Sequence, residues 1–149
     1  MDETRDAFTA SVDVEDYSKS SSLNITLYRP FAKLRIVTTD IQAVRNLNVE
    51  PTTATVTYTT AYREAFNAYE SKAKAAGSSK KVHTAYDIKS YGETGAELTL
   101  FTDYFFAEQD VVKFDFAAYD QNGDLIAEES FGTDIPVKRN YLTTLKGSI

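Results

Sequence analysis

The chain has 149 residues, of which 42% are hydrophobic and 26% are charged, and its formal net charge is -6. This length and composition predict one globular domain over residues 1–149 with its own core, and not a disordered chain. Because an acidic surface is repelled by phosphate groups, we do not expect nucleic acid or anionic membranes as partners. The chain has no cysteine, which excludes disulfides, thiol catalysis and thiolate metal sites. No apolar run approaches the roughly 20 residues that a membrane-spanning helix needs.

The N-terminal region begins with a charged stretch, residues 1–6, that lacks the apolar segment of a signal peptide. We therefore expect a mature fragment of a larger exported protein, with any export signal or lipidated cysteine removed by design. Residues 7–15 then alternate between apolar and polar side chains, which predicts a half-buried strand. The apolar face of that strand consists of Phe8, Ala10, Val12 and Val14.

Two further alternating runs, residues 23–27 and 31–37, meet at Pro30. A period of two indicates extended chain with one apolar and one polar face. Proline cannot donate to a sheet ladder and disfavours helix in the residue before it, so Pro30 predicts a bend between two core strands. A chain that enters the core on both sides of a bend implies two sheets for it to join.

The middle of the chain combines a strand with a helical pattern. Residues 41–50 predict a loop or one short turn of helix, and the threonine-rich run 51–58 predicts a strand. Residues 61–76 break this rhythm, because their apolar side chains recur at spacings of three and four. We therefore expect one helix near 61–76 that packs on a sheet or covers its edge. The apolar positions of that helix are Tyr62, Ala65, Phe66, Tyr69, Ala73 and Ala76.

The C-terminal half returns to strand patterns, which predict strands over residues 82–91, 97–107 and 111–119. The second of these is apolar on both faces and is expected to be covered on both sides. In residues 82–91 the face expected to point inward holds Val82, Thr84, Tyr86 and Ile88. In residues 111–119 it holds Val112, Phe114, Phe116 and Ala118.

The sequence Asn122-Gly123 predicts a tight hairpin with positive φ at both residues. A return strand is expected over residues 125–131, and residues 135–137 and 140–149 predict a final strand pair. Eight or nine short strands with one helix predict a mostly-β fold, a two-layer β-sandwich of Greek-key type.

No constellation of side chains in the sequence predicts catalysis. The one histidine, His83, falls on the polar face of its predicted strand beside a basic loop and is interpreted as a surface residue. The acidic stretch 120–124 lacks the spacing of a calcium-binding EF-hand and is explained by the hairpin. Glu128 and Glu129 point to opposite faces of a strand, so they cannot converge on one substrate. We therefore predict no enzyme, no cofactor and no metal.

Tyrosine is frequent in this chain, with ten residues. Exposed tyrosines make good contacts with protein partners or sugars. Most of the ten alternate with polar residues inside predicted strands and are expected in the core. The exceptions are Tyr17, Tyr62, Tyr69 and Tyr91, and of these Tyr62 and Tyr91 are the candidate ligand contacts.

Several stretches resemble the Bacteroidales fimbrillin-like surface proteins, the type V pilus family. Residues 29–33 are similar to the family's Arg-Pro-x-Ala-Lys strand. Residues 135–147 are similar to the Ile-Pro-Val-x-Arg-Asn-x-x-Thr-x-x-x-Gly ending of the family's N-terminal domain. Residues 103–107 and 114–123 also fit, so the resemblance covers most of residues 22–148.

This resemblance implies a transthyretin-like β-sandwich from an exported lipoprotein, displayed at the cell surface on the outer membrane. Many members polymerise into fimbriae after a protease trims an N-terminal strand and a neighbour's strand fills the vacated groove. It therefore implies strand exchange through the apolar face of residues 7–15, with Arg5 and Arg45 as candidate trimming sites. An ordinary first strand paired within its own domain is the alternative. The chain lacks the family's lipidated cysteine and second domain, which leaves a shaft, anchor, tip or non-polymerising role open.

The sequence thus predicts a fimbrial or adhesin-type surface subunit without catalysis. Its expected partners are other fimbrial subunits or further copies of itself, and a host protein or glycan. The alternative is a glycan-binding surface lipoprotein module that uses Tyr62 and Tyr91. A third alternative, a hydrolase, would need a cleft that gathers His83 or paired carboxylates.

Overall fold

The structure, a computed structural model, describes residues 7–16, 18–20, 22–75, 77 and 81–149. Over these residues the chain folds into two four-stranded β-sheets that stack face to face, with a small two-stranded ribbon beside them. The prediction of a mostly-β, two-layer sandwich is therefore confirmed.

Ten strands and one α-helix make up this fold within the described residues. In chain order they are β1 (Phe31–Thr38), α1 (Ile41–Asn46), β2 (Pro51–Tyr58), β3 (Phe66–Asn67), β4 (Lys72–Ala73), β5 (Lys81–Tyr86), a 3-10 turn (Ile88–Tyr91), β6 (Glu93–Thr94), β7 (Glu97–Phe106), β8 (Gln109–Asp120), β9 (Leu125–Lys138) and β10 (Leu142–Gly147).

The two sheets have the strand orders β10-β1-β7-β6 and β5-β2-β8-β9. Neighbouring strands are antiparallel except β1 and β10, which run parallel with Lys33 opposite Leu142. The chain crosses between the sheets after β1, β5, β7 and β9, which gives the connections a Greek-key character. The edge strands β9 and β10 contact each other, so both lie on the same side of the sandwich.

The core lies between the two sheets and follows the alternation of the sequence. In β8 the predicted inner face is confirmed, because all four of its apolar positions from Val112 to Ala118 are buried. Buried apolar side chains of the other strands include Ala54, Val56 and Tyr58 of β2, Ala32, Leu34, Ile36 and Val37 of β1, Leu98, Leu100, Phe101 and Phe105 of β7, Ala85 of β5 and Val137 of β9.

The N-terminal segments do not form the strands that their alternation predicts. Residues 7–15 and 23–27 lie outside both sheets, and a single antiparallel bridge joins Thr9 to Tyr28. An alternating segment becomes part of a sheet only where another strand lies beside it. Of the two runs around Pro30, only residues 31–37 have neighbouring strands. Pro30 therefore precedes β1 and does not join two core strands. The large apolar side chains left about half exposed are Phe8, Val12, Leu23, Ile25 and Leu27.

The helix predicted near 61–76 is wrong over the described part of that range, where β3 and β4 form a short ribbon instead. The side-chain oxygen of Asn67 accepts hydrogen bonds from the backbone N–H groups of Tyr69 and Glu70, at 3.1 and 3.2 Å. Such a local turn competes with helical hydrogen bonds. The α-helix of the described residues is α1, where a loop or one short turn of helix was predicted.

Arg63 fixes this ribbon to the sandwich. Its guanidinium donates to both carboxylate oxygens of Asp110, at 2.7 and 3.1 Å, and to the carbonyl oxygen of Lys74 at 3.0 Å. The hydrogen bonds from Arg63 hold the pKa of Asp110 below its usual value. Phe66 stacks on Phe106 of β7, with ring centres 5.6 Å apart. Because these partners are distant in sequence, tertiary contacts override the local helical spacing.

The faces of β5 are the reverse of those predicted. Val82 and Tyr86 are exposed, whereas Ala85 is buried and His83 is partly buried. The register explains this, since His83 lies opposite Val56 of β2, and directly opposed residues share one face of a sheet. The buried face of β2 therefore decides which side chains of β5 point inward.

The β8–β9 hairpin is confirmed, but its turn is wider than predicted. The N–H of Gly123 donates to the carbonyl oxygen of Asp120 at 3.1 Å. The N–H of Asp120 donates to the carbonyl oxygen of Asp124 at 2.9 Å. Within this turn only Gly123 has a positive φ, of 85°. A type I turn followed by a left-handed glycine fits these bonds. The Asp120 carboxylate accepts from the backbone N–H groups of Asn122 and Asp124.

The predicted final strand pair is wrong. Residues 135–137 continue β9 and pair with β8, whereas β10 crosses to the other sheet and pairs with β1. The crossing takes place at Asn140, whose φ is 65° and whose N–H donates to the carbonyl oxygen of Phe31 at 2.7 Å. Asparagine tolerates this left-handed conformation better than most residues, which suits it to a sharp change of direction.

Candidate functional site

A cluster of four polar side chains, the polar cluster, joins the two sheets near the β5 edge. Asp103 of β7 is only 4% exposed. Its Oδ2 accepts from the Tyr58 hydroxyl at 2.9 Å and lies 2.6 Å from His83 Nδ1. The hydroxyl of Tyr62 lies 3.0 Å from His83 Nε2. The polar cluster therefore ties strands β2, β5 and β7 to the loop that follows β2.

The electrostatics of the polar cluster follow from burial and from Asp103. Its hydrogen bond to Asp103 raises the pKa of His83 above the ordinary value. Burial raises the pKa of Tyr58 and, together with the charge of Asp103, raises that of Tyr62 to about 12. Both tyrosines are therefore protonated at neutral pH. Because a carboxylate only accepts hydrogen bonds, Nδ1 of His83 carries a proton.

This geometry corrects the interpretation of His83 as a surface residue. An imidazole held by a carboxylate resembles the orienting pair of a general base. Here, however, the second ring nitrogen of His83 is engaged by Tyr62, so the imidazole is hydrogen-bonded on both sides. The arrangement fits a structural connection between strands. Sequence reasoning missed it because the inward direction of His83 depends on the β2–β5 register.

The charge of His83 is expected to make stability depend on pH. The pKa of His83 in the folded chain is raised above the ordinary 6.5. The stabilisation that protonated His83 gives the folded state is therefore fully present below the pKa of the unfolded chain. It is lost as the pH rises through the pKa of the folded chain. His83 is the one histidine of the chain, and its imidazole proton resonance can be titrated by NMR without assignment. A folded pKa equal to or lower than that of the unfolded chain would contradict this expectation.

The predicted ligand contacts are not presented to solvent as expected. The ring of Tyr62 packs against Tyr58 and Phe105, with centres 4.8 and 5.3 Å away. Tyr91 ends the 3-10 turn and packs against the core. Tyr69 is exposed on the ribbon turn. Tyr17 lies outside the described residues.

Of the two candidate trimming sites, Arg5 and Arg45, the structure describes only Arg45. Arg5 lies outside the described residues. Arg45 lies in the last turn of α1 and is not the exposed residue that was expected, because it forms ion pairs with Glu50 at 2.8 Å and Glu93 at 2.6 Å. The hydrogen bond from Arg45 lowers the pKa of Glu50. Cleavage after Arg45 would first require these contacts to open.

The candidate strand-exchange segment does not pair with either sheet. Phe8 and Val12 are 50% and 47% exposed, and Ala10 and Val14 are partly exposed. Thr9 exchanges two backbone hydrogen bonds with Tyr28, at 2.9 and 3.1 Å. Pairing of this segment within its own domain, the alternative to strand exchange, is limited to this one bridge in the described residues.

The sandwich has an open side where β9 and β10 form the edges of the two sheets. Among the described strands, β9 pairs only with β8 and β10 pairs only with β1. A cleft of about 330 Å³, here named the edge groove, lies between these two strands. Its apolar lining consists of Ile36, Val37, Leu100, Phe116, Ala127, Phe131, Leu145 and Ile149.

The described residues gather no group of three or more histidine, aspartate or glutamate side chains that could hold a metal ion. In the same part of the chain, no helix has the length and apolar character needed to cross a membrane.

Comparison with known proteins gives one result. A model described as a family of unknown function (DUF6562) matches residues 1–149. No curated protein and no solved structure matches the chain. The resemblance to fimbrillin-like proteins therefore stays a prediction. Since the match extends over all 149 residues, the chain belongs to the family DUF6562, a family of unknown function.

Proposed function

We propose that this protein is a non-catalytic structural subunit of the cell surface that assembles by strand addition. In this proposal the apolar face of residues 7–15 of one copy enters the edge groove of another. The observation that carries it is the coexistence of a half-exposed apolar N-terminal segment outside both sheets with an open groove lined mainly by apolar side chains.

The acceptor side of the proposal rests on the free edges of β9 and β10. A strand at the edge of a sheet leaves a row of backbone N–H and C=O groups without sheet partners. An added strand satisfies these groups, and its alternate side chains fill the pockets beside them. The edge groove offers both features, since apolar side chains of the two sheets line it directly beside the free edges.

The donor side rests on the period of residues 7–15. Four apolar side chains alternate with Thr9, Ser11, Asp13 and Glu15, so one face can enter a groove while the other stays in water. Burying each large side chain, such as Phe8 or Val12, contributes about 1.5–3 kcal/mol. These side chains are half exposed in the described chain, so about half of this gain is still available to an intermolecular contact.

A second copy is the proposed donor because the segment is held elsewhere in its own chain. Thr9 pairs with Tyr28, and the guanidinium of Arg29 lies 5.0 Å from the centre of the Phe8 ring. The family resemblance supports fimbrial subunits as partners, an outer-membrane location and trimming at Arg5. Cleavage at Arg45, the other candidate, would remove the donor segment together with β1. The glycan-binding alternative loses its original support, because Tyr62 and Tyr91 pack against the core.

Val12→Asp is expected to abolish self-association, because a charge on the donor face cannot be buried in an apolar groove. Light scattering coupled to size-exclusion chromatography, over a range of protein concentrations, measures this directly. The wild-type chain should form larger species as its concentration rises, and Val12→Asp should stay monomeric. Val82→Asp, on the exposed face of β5, is the matched control and should assemble like the wild type.

The proposal is contradicted if the wild-type chain stays monomeric throughout, or if Val12→Asp assembles normally. A chain lacking residues 1–16 gives a second check, because it should lose assembly as Val12→Asp does. If Val12→Asp lowers thermal stability of a monomer and nothing else, the segment inserts into its own chain, and exchange between copies is wrong.

A further inference from the structure

A second depression, of about 650 Å³, lies at the turn between β9 and β10 and is lined by residues that the edge groove does not use. We name it the tyrosine pocket. Its charged lining residues are Lys138, Arg139 and Glu108, and the uncharged ones used below are Tyr28, Gln109, Asn140 and Tyr141. Its volume lies in the range of small-ligand sites in proteins.

The floor of the tyrosine pocket is held in place by several independent contacts. Arg139 donates to the carbonyl oxygen of Ser71 at 2.5 Å and to its hydroxyl at 3.1 Å. The same guanidinium lies 5.2 Å from the centre of the Phe66 ring. The N–H of Tyr141 donates to the carbonyl oxygen of Lys138 at 3.0 Å, which closes the turn. A pocket shaped in advance in this way loses little conformational freedom when a ligand binds.

Two tyrosine rings stand open at this pocket. Tyr28 is 49% exposed and Tyr141 is 58% exposed. The face of an aromatic ring is electron-rich and attracts the weakly positive C–H groups of a sugar ring, while the tyrosine hydroxyl stays available for hydrogen bonds. The exposed amide side chains of Gln109 and Asn140 add donors and acceptors that suit sugar hydroxyl groups.

A cation sits directly beside one of these rings. The Nζ of Lys138 lies 4.6 Å from the centre of the Tyr141 ring. No carboxylate in the described part of the chain pairs with Lys138, whereas other lysines, such as Lys113 and Lys146, have such a partner. The lining also holds Arg139 and one carboxylate, Glu108, whose Oε1 accepts from the backbone N–H of Ala73 at 2.6 Å. Two cations against one carboxylate leave the pocket net positive in a chain of net charge -6, which favours an anionic group on the ligand.

We infer that the tyrosine pocket binds a saccharide unit that carries a carboxylate, of the uronic acid type. The sugar ring packs on Tyr141 and Tyr28, the carboxylate pairs with Lys138, and the amides of Gln109 and Asn140 bind hydroxyl groups. This site shares no lining residue with the edge groove. Its one link to strand addition is Tyr28, which pairs with Thr9 of the donor segment, whereas Lys138 and Tyr141 lie on the β9–β10 turn.

Saturation-transfer NMR on the full chain tests this inference with glucuronic acid and oligogalacturonate as probes and glucose as the neutral comparison. We expect binding of the acidic probes. Tyr141→Ala should weaken it about fivefold, the effect of losing one exposed aromatic contact. Lys138→Gln should weaken the acidic probes by a similar factor and leave the weaker glucose signal unchanged. Tyr86→Ala, an exposed tyrosine of β5, is the control and should bind like the wild type.

Each result decides the matter. Loss of binding in both pocket variants, with the control intact and thermal melting unchanged, supports the inference. Preference for the oligomer over the free acid identifies a polysaccharide as the source of the ligand. The inference is overturned if no acidic probe binds, if glucose binds as well as the acids, or if Tyr141→Ala and Lys138→Gln both bind normally.

Discussion

Replacing Asp103 by alanine is expected to lower the free energy of unfolding by about 3 kcal/mol. The carboxylate is almost fully buried and accepts hydrogen bonds from Tyr58, His83 and the backbone N–H of Tyr104. Its removal leaves a fully buried hydroxyl and a partly buried imidazole without their common partner. Urea unfolding at neutral pH, followed by circular dichroism, measures the loss.

The matched control for this substitution is Asp115→Ala on the exposed face of β8, where the carboxylate accepts from the Ser130 hydroxyl at 2.6 Å. Its loss should cost less than about 1 kcal/mol, because water replaces the lost bond. In Asp103→Asn the pKa of His83 should return toward its ordinary value, since the partner that raises it has lost its charge. Equal losses in Asp103→Ala and Asp115→Ala would show that the polar cluster does not connect the sheets.

Phe114→Ala is expected to cost about 3–5 kcal/mol, the usual penalty for deleting a buried phenyl group and leaving a cavity. Phe114 is fully buried at the centre of β8, and its ring centre lies 4.9 Å from that of Phe131 and 5.9 Å from that of Tyr58. It therefore links the edge groove side of the core to the polar cluster. Thermal and urea unfolding give the loss directly.

Val111→Ala provides the comparison for Phe114, because Val111 lies on the same strand and is about half exposed. We expect its cost to stay near or below about 1 kcal/mol. If Phe114→Ala is tolerated as well as Val111→Ala, the core does not lie between the sheets in the manner described.

The alternation of β8 and that of residues 23–27 are equally regular, yet only β8 is buried. The pattern indicates which side chains share a face, and it does not indicate whether another strand lies beside them. Strand β8 has β2 on one side and β9 on the other. Residues 23–27 have no such neighbours, so the sequence predicts the core of the sandwich and overestimates its N-terminal part.

The helix error near 61–76 and the missed polar cluster have the same physical origin. Arg63 finds its carboxylate partner at Asp110, and His83 finds its own at Asp103. Both contacts are set by which strands meet across the sandwich, which local spacing does not encode. The tyrosine pocket is a further case, since Tyr28 and Tyr141 come from opposite ends of the chain. The buried face of β2, combined with knowledge of the β2–β5 register, would have predicted that His83 points inward.

The central claim, that the edge groove accepts the N-terminal segment, is tested most directly by NMR on the isotope-labelled full chain. A synthetic peptide of residues 7–16 is added, and a peptide carrying Val12→Asp serves as the control. We predict that the wild-type peptide shifts the amide resonances of β10 and of residues 125–131 of β9 and protects them from hydrogen exchange, and that the control peptide does neither. Resonances of these strands that stay unchanged, or that respond equally to both peptides, would contradict the claim.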